Sequence, residues 1–258
     1  MSRAIPQSVY TDCRKHSKGR IDFNNFNTFN NVSGRIKNND RQERLPYPII
    51  GHIRCGKKSD RGFPMSTDYW LADGKYASLF DKAYGEKPDT IQIVFPSDNP
   101  ELVCREEYEF RDTQGKLVAS GDGETFKVWS SKSKAYTILS VTEYPNIMEM
   151  VKSKYPSQDW KITLTLNFII PKVRGIMGLW QFSTKGSASS IPQVRDTFDA
   201  VLESNGHCSG IIFDLSVKLH KSNKPNDTSR YPVVTLMPNE SEEVLRMIKE
   251  CKKPLMIE

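Results

Sequence analysis

The clearest hydrophobic pattern in the chain is a strict alternation that runs from Lys161 to Ile170. Every second residue from Ile162 onwards is apolar, and the polar residues Lys161, Thr163, Thr165 and Asn167 fall on the other face. Alternation with a period of two and with β-branched residues predicts a half-buried strand. The same pattern predicts strands over Ile176–Thr184 and Ile211–Lys221.

A helix is predicted between the last two of these strands. Apolar residues recur at helical spacing from Ile191 to Leu202, which favours a helix over residues 190–205. Ser190 is a good N-cap residue, and Gly206 is suited to the left-handed position that ends a helix. Trp180 and Phe182 share one face of the preceding strand, and we expect them to fill the core.

The other apolar runs complete a mixed fold. They predict strands at Ile49–Gly56, Asp68–Leu71, Thr90–Phe95 and Tyr231–Met237, helices at Lys75–Tyr84 and Glu240–Lys252, and a β-meander with a short helix inserted at residues 101–158. Without the insertion, and with the 160–184 hairpin counted as one position, the order is βαββαβ. The predicted fold class is therefore α+β, with a ferredoxin/RRM-like βαββαβ core, the inserted meander and an extended basic N-terminal arm. In such a fold, helices cover one face of the sheet and the other face stays open.

Charge separates the arm from the rest of the chain. Residues 1–45 hold nine basic and four acidic residues, so they carry +5 of the total net charge of +6. The predicted domains are this arm and an α+β domain over residues 46–258. The arm is rich in Asn and has Phe23, Phe26 and Phe29 at regular spacing. These rings have three alternative binding surfaces, which are the domain over residues 46–258, another copy of the chain, and exposed nucleic-acid bases.

Composition limits the location and the redox chemistry. The mean hydropathy is -0.55, and no apolar run approaches the roughly 20 residues needed to span a bilayer. The N-terminal residues lack the apolar stretch of a signal peptide. Five cysteines without dense spacing favour free thiols in a reducing cytoplasm. We therefore expect a cytoplasmic protein with no membrane partner.

Motifs for catalysis are weak throughout the chain. His52 and Cys55, with Cys104 brought near by the fold, form a minor alternative as a zinc site, and ordinary thiols are the other interpretation. Asp122 lies in the turn Gly121-Asp122-Gly123, a context that is mostly structural. We expect no catalytic residues, no bound metal and no cofactor. A metal-dependent hydrolase that uses Asp122 with cysteines or histidines stays open as an alternative.

Basic residues cluster where strands are predicted to end. The loop from Lys185 to Ser190 leads into a helix N-terminus, and it is either an anion site or a plain capped helix. An open sheet face with Thr, Asn, Ser and Lys, plus Trp70 and Trp180, also suits single-stranded nucleic acid. The candidate nucleic-acid-binding residues are Arg54, Lys57, Lys58, Arg61, Lys172, Arg174, Lys185, Lys218, His220 and Lys221, with Lys224 nearby.

Several short motifs occur in an order that resembles a known family. The segment from Gly51 to Lys58, followed by Phe63–Trp70, resembles the opening of the phage recombination directionality factor-like family. Ala83-Tyr84-Gly85, Tyr108-Glu109-Phe110, Gly121-Asp122-Gly123 and the run from Gly178 to Ser187 resemble its later landmarks. Gln181 stands where the family has Arg, and Gly121 stands where it has Cys. The resemblance covers roughly residues 48–237.

The resemblance implies a protein of a phage or mobile element in a bacterial host. In the best-known members, such a protein binds a large serine integrase and turns integration into excision, and no catalytic residues come with the family. Our first hypothesis is a non-enzymatic accessory protein of DNA recombination. We expect it to bind nucleic acid, for which DNA is favoured, or a recombinase, or both. A single-stranded nucleic-acid-binding replication or assembly protein, and an interaction module that self-assembles through the arm, are the alternatives.

Overall fold

The structure is a computed structural model that describes residues 45–222 and 227–239. The predicted arm up to residue 44, Lys224 and the predicted helix Glu240–Lys252 lie outside the described residues. In chain order the described elements are β1 (Ile49–Lys58), β2 (Pro64–Asp73), α1 (Ala77–Tyr84), β3 (Thr90–Val94), α2 (Pro100–Val103), β4 (Cys104–Arg111), β5 (Leu117–Gly121), β6 (Thr125–Ser130), β7 (Ala135–Ser140), α3 (Ile147–Lys154), β8 (Lys161–Phe168), β9 (Leu179–Thr184), α4 (Ser190–Asn205), β10 (Ile212–Lys221) and β11 (Arg230–Pro238). None of the helices in this part of the chain has the length and apolar character needed to cross a membrane.

The strands form two sheets. The larger sheet has eight strands in the order β2-β1-β9-β8-β4-β5-β6-β7, and the smaller has three in the order β11-β10-β3. Only β1 and β9 pair in parallel among the strand pairs of the described residues. The mixed α+β class is therefore confirmed, with a sheet that is mostly antiparallel.

One core joins the two sheets. Trp70, on β2, donates its indole N–H to the Leu215 carbonyl of β10 at 3.0 Å, and its ring meets Phe182 edge-on at 5.1 Å. Phe95 packs edge-on against Phe198 of α4 at 5.1 Å. Trp180 and Phe182 are both buried here, as predicted. Trp70 is also buried, so it offers no surface for a base.

The predicted insertion forms a second core of its own. Strands β4–β6 correspond to the predicted meander, β7 adds a fourth strand that was not predicted, and α3 packs its buried Ile147 and Val151 against them. Trp160 meets the rings of Phe110 and Phe126 edge-on, at 5.2 and 5.3 Å. The insertion is not a separate sheet, however, because β4 pairs with β8 from Cys104 to Glu109.

The predicted βαββαβ arrangement differs from the sheets observed. That arrangement needs β1, β3, the β8–β9 pair and β10 in one sheet, whereas β3 and β10 form the smaller sheet with β11. The reason is that β8 uses both of its edges, one for β9 and one for β4, and β1 takes the free edge of β9. Alternation identifies the buried face of a strand but not its neighbour.

Two local predictions also need correction. Helix α4 begins at Ser190 with Ser189 as its N-cap residue, and the Ser190 hydroxyl instead accepts a hydrogen bond from the Val234 N–H at 3.0 Å. Lys57 and Lys58 were expected in a loop, but they belong to β1. Gly206 ends α4 in the left-handed conformation, with φ 74°, as predicted.

Candidate nucleic-acid interface

Strands β1 and β2 extend beyond the larger sheet as a two-stranded ribbon. The pairing of β1 with β9 ends at Ile53, which lies opposite Phe182. Beyond a bulge between Arg54 and Gly56, β1 pairs only with β2 within the described residues. We call residues 56–66 the β1–β2 ribbon. Its outer edges pair with no further strand among the described residues, and its residues are exposed apart from Gly56 and Ser59, which are half-buried.

The tip of the ribbon is closed by a compact set of hydrogen bonds. Ser59 donates its N–H to the Phe63 carbonyl at 2.8 Å, and its hydroxyl accepts the Phe63 N–H at 3.1 Å. Gly62 donates to the Ser59 carbonyl at 2.8 Å with φ 81°, a conformation that glycine adopts without strain. The position of Phe63 is therefore fixed by the turn.

The ribbon carries basic and apolar side chains that are both exposed. Lys57, Lys58 and Arg61 are exposed, and none of them forms an ion pair with a described residue. Phe63 is 67% exposed and Met65 is 48% exposed. Asp60 is the single acid in the ribbon. Four of the predicted site residues lie in or beside this ribbon, and the fourth, Arg54, approaches Asp73 at 3.9 Å.

A second group of basic residues lies at the end of the smaller sheet. Lys218, His220 and Lys221 are exposed on β10, and Lys221 lies directly opposite Arg230 on β11. An open cleft of about 570 Å³ is lined by Lys218, Arg230, Lys87, Tyr69, Asp68 and Asp89, among others. Two carboxylates among three cations make this cleft mixed in charge. It is therefore a weaker candidate for phosphate than the ribbon.

The other three predicted residues lie apart from these groups. Lys172 and Arg174 are exposed in the connection between β8 and β9, and the Lys172 ammonium lies 4.5 Å from the centre of the Tyr84 ring. Lys185, at the end of β9, lies 3.7 Å from the Glu109 carboxylate. The ten predicted residues thus fall on several surfaces, on both sheets, rather than on one.

Glu109 holds the most connected ion pair of the larger sheet. It is 8% exposed, and both of its oxygens accept hydrogen bonds from the Arg111 guanidinium, at 2.9 and 3.0 Å. Burial acts to raise the pKa of Glu109, but Arg111 and Lys185 outweigh it and the pKa is lowered. Burial, with Arg111 and Lys161 nearby, lowers the pKa of Lys185 despite its contact with Glu109. Lys185 is thus already engaged by a carboxylate.

The loop after Lys185 satisfies several of its own hydrogen-bond donors. The N–H groups of Ser189 and Ile191 both donate to the Gly186 carbonyl, at 3.1 and 3.0 Å. Ser187 donates its N–H to the Lys185 carbonyl at 2.9 Å. These donors are used inside the loop, so they are not available to an anion, although the Ser189 side chain makes no capping hydrogen bond to α4.

Polar side chains cover the face of the larger sheet opposite the core. Gln181 donates to the Asn167 side-chain oxygen at 3.0 Å, and the Thr165 and Ser183 hydroxyls lie 3.2 Å apart. Thr165 is nevertheless 7% exposed, and the two rings considered for this surface, Trp70 and Trp180, are each 1% exposed. The exposed ring pair of this sheet is Trp129 and Tyr136, 5.2 Å apart on β6 and β7. Sequence reasoning missed it because β7 was not predicted.

The candidate residues for metal chemistry do not converge. Among residues 45–222 and 227–239, no three His, Cys, Asp or Glu side chains are placed to hold a metal ion. Burial raises the pKa of both Cys104 and Cys208 to about 12, which keeps these thiols protonated at neutral pH. Asp122 accepts the N–H groups of Thr125 and Glu124 at 2.7 and 2.9 Å, bonds that lower its pKa and shape the turn.

Comparison with known proteins agrees with the resemblance in the sequence. The model of the Gp3-like family, described as recombination directionality factor-like, matches residues 50–239. No curated protein and no solved structure matches the chain. The match begins in β1 and ends just after β11, so it includes both sheets and the β1–β2 ribbon. The chain therefore belongs to the Gp3-like, recombination directionality factor-like family.

Proposed function

We propose that this protein is a non-enzymatic accessory protein of phage DNA recombination, and that it binds DNA through the β1–β2 ribbon. Family membership supports the role in recombination. The observation that carries DNA binding is the ribbon itself, in which Lys57, Lys58 and Arg61 are exposed without a carboxylate partner among the described residues. A two-stranded ribbon has dimensions that fit a DNA groove.

Charge reversal on the ribbon tests this role. The full-length variant Lys57→Glu/Lys58→Glu loses two phosphate contacts, so its affinity for duplex DNA falls and the slope of log K against log salt drops by about two. The measurement is fluorescence anisotropy with a labelled duplex between about 50 and 200 mM salt. Lys132→Glu/Lys134→Glu is the matched control, because both lysines are exposed in another hairpin turn, between β6 and β7. Equal losses in the two variants contradict the ribbon as the contact surface.

A serine integrase is the proposed protein partner, and this part of the proposal comes from the family alone. A pull-down of a phage serine integrase with the full chain, repeated in the presence of nuclease, tests direct contact. Binding that disappears with nuclease means that DNA bridges the two proteins. Binding that persists supports direct contact.

A single-stranded role is the second candidate, and the exposed ring pair Trp129 and Tyr136 favours it. Base stacking on such rings contributes about 1–3 kcal/mol per base. Trp129→Ala therefore weakens binding to a single-stranded oligonucleotide by about 5- to 150-fold if this surface is used, and it leaves duplex binding unchanged. If this variant keeps its affinity for the single-stranded oligonucleotide, Trp129 and Tyr136 are not the surface on which bases stack.

A further inference from the structure

We propose that Phe63 is a wedge that enters a base step of duplex DNA and bends the duplex, while the ribbon cations hold the flanking phosphates. This inference rests on the proposed DNA-binding function and deepens it. It assigns a role to the exposed Phe63 ring, which electrostatic attraction between the cations and DNA does not require.

The first argument is the exposure of Phe63 at a defined position. A phenylalanine that is 67% exposed leaves most of its ring in water, where a partner surface stabilises it. The ring is carried by a turn in which both the N–H and the carbonyl of Phe63 are bonded to Ser59. Because the turn fixes the backbone before binding, little conformational entropy is lost when the ring is inserted.

The second argument is the charge around the ring. Lys57, Lys58 and Arg61 lie within six residues of Phe63, and Asp60 is the only acid between them. An apolar ring in the same hairpin as three cations that have no ion-pair partner among the described residues fits a ligand that has a polyanionic rim and a stacked apolar interior. Duplex DNA has this combination, and proteins that insert apolar side chains between base pairs kink it by about 20–90°.

The third argument is the shape of the element. Gly56–Lys58 pairs with Pro64–Ser66 beyond the last pairing of β1 with β9, so the tip extends past the edge of the sheet. An extending ribbon brings Phe63 to a groove while the body stays outside. Pro64, next to the ring, lacks an N–H and leaves no unpaired backbone donor at that point.

The experiment measures binding and bending separately with the full-length chain. A duplex of about 30 base pairs carries a donor and an acceptor dye at its ends, and energy transfer reports the end-to-end distance. The unmodified protein is expected to raise the transfer. Phe63→Ala is expected to lose this rise, with an affinity loss below about tenfold because unstacking offsets much of the gain from burying the ring.

Two comparisons make the outcomes distinct. Ile138→Ala is the matched control, since Ile138 is 65% exposed and lies on β7, and it is expected to bend DNA like the unmodified protein. Phe63→Leu is expected to keep part of the bend. If the unmodified protein binds duplex without bending it, or if Phe63→Ala bends it equally, the wedge is wrong while the proposed function stands.

Two further results separate this inference from the function on which it rests. If the unmodified protein does not bind duplex DNA at low salt, the proposed function itself fails. If Phe63→Ala leaves both DNA measurements unchanged but removes binding to a serine integrase, the tip is a protein-docking surface and the wedge is overturned.

Discussion

Glu107 and Glu109 are two carboxylates on one strand for which we predict opposite effects on stability. Both lie on β4, two residues apart, and each accepts a hydrogen bond from an arginine of the same strand. Burial raises the pKa of Glu107, and Arg105 only partly compensates. For Glu109, burial also acts to raise the pKa, but the two bonds from Arg111 and the charge of Lys185 outweigh it.

The magnitude follows from the bonds that each carboxylate makes. Hydrogen bonds to charged groups contribute about 1.5–3 kcal/mol when buried, and the partial exposure of Arg111, 39%, places the effect near the lower value. Glu109→Gln is therefore expected to lower the free energy of unfolding by about 1–2 kcal/mol at pH 7. Glu107→Gln removes a charge that folding disfavours, so it is expected to leave the free energy of unfolding unchanged or to raise it slightly.

The pH dependence has opposite signs for the two residues. Because the pKa of Glu109 is lower in the folded protein, its contribution is present above the unfolded value of about 4.3 and is lost as the pH falls through the folded pKa. The pKa of Glu107 is raised in the folded protein, so its ionisation destabilises the fold as the pH rises above about 4.3. The cost of Glu109→Gln should therefore shrink in acid.

Urea unfolding of each variant at pH 7 and at pH 4, followed by fluorescence, measures these differences. Equal costs for the two substitutions at pH 7 refute the reasoning. A larger cost for Glu107→Gln than for Glu109→Gln refutes it more strongly, because burial is then not the dominant effect at Glu107.

Two further predictions concern the core and the loop after β9. Trp70→Phe keeps a ring but removes the 3.0 Å hydrogen bond to the buried Leu215 carbonyl. We expect the free energy of unfolding, measured by heat or urea, to fall by about 1–3 kcal/mol. A change near zero means that this bond does not hold the sheets together. Lys185→Ala is expected to weaken DNA binding less than Lys57→Ala, because Lys185 already lies beside the Glu109 carboxylate. Anisotropy titrations with labelled DNA compare the two variants. An equal or larger loss of affinity for Lys185→Ala would mean that the loop after β9 contacts DNA.

The positions of the strands could be read from the sequence because each buried face alternates in a regular way. The predicted Thr90–Phe95 and Ile211–Lys221 agree closely with β3 and β10. Strand β7 was missed because Ala135–Ser140 has four exposed and two half-buried residues, so no buried face produces an alternating pattern. The pairing of strands could not be predicted, since the pairing of β8 with β4 rather than with β3 depends on contacts between residues far apart in the chain.

The candidate site was harder to predict than the fold because the sequence does not show whether a Lys or Arg side chain forms an ion pair with a carboxylate. Counting Lys and Arg gave equal weight to Lys185 and to Lys57, yet the first lies beside Glu109 and the second has no ion-pair partner among the described residues. Phe63 belonged to a motif that resembled the family, but its exposure depends on where the turn ends.

For the proposed DNA binding, cations without an ion-pair partner among the described residues are expected to matter more than the total charge of residues 46–258. Residues 46–258 carry only about one net positive charge, so no broad field surrounds them. On β4 the cations and anions neutralise each other within the strand, as Arg105 does with Glu107 and Arg111 with Glu109. The ribbon holds three cations without an ion-pair partner among the described residues, one acid and an exposed ring, and local charge of this kind acts over about 8–10 Å at physiological salt. DNA bound by the body should therefore contact the ribbon first, and removing the ribbon charges should reduce the rate of association more than any equal change elsewhere on the body.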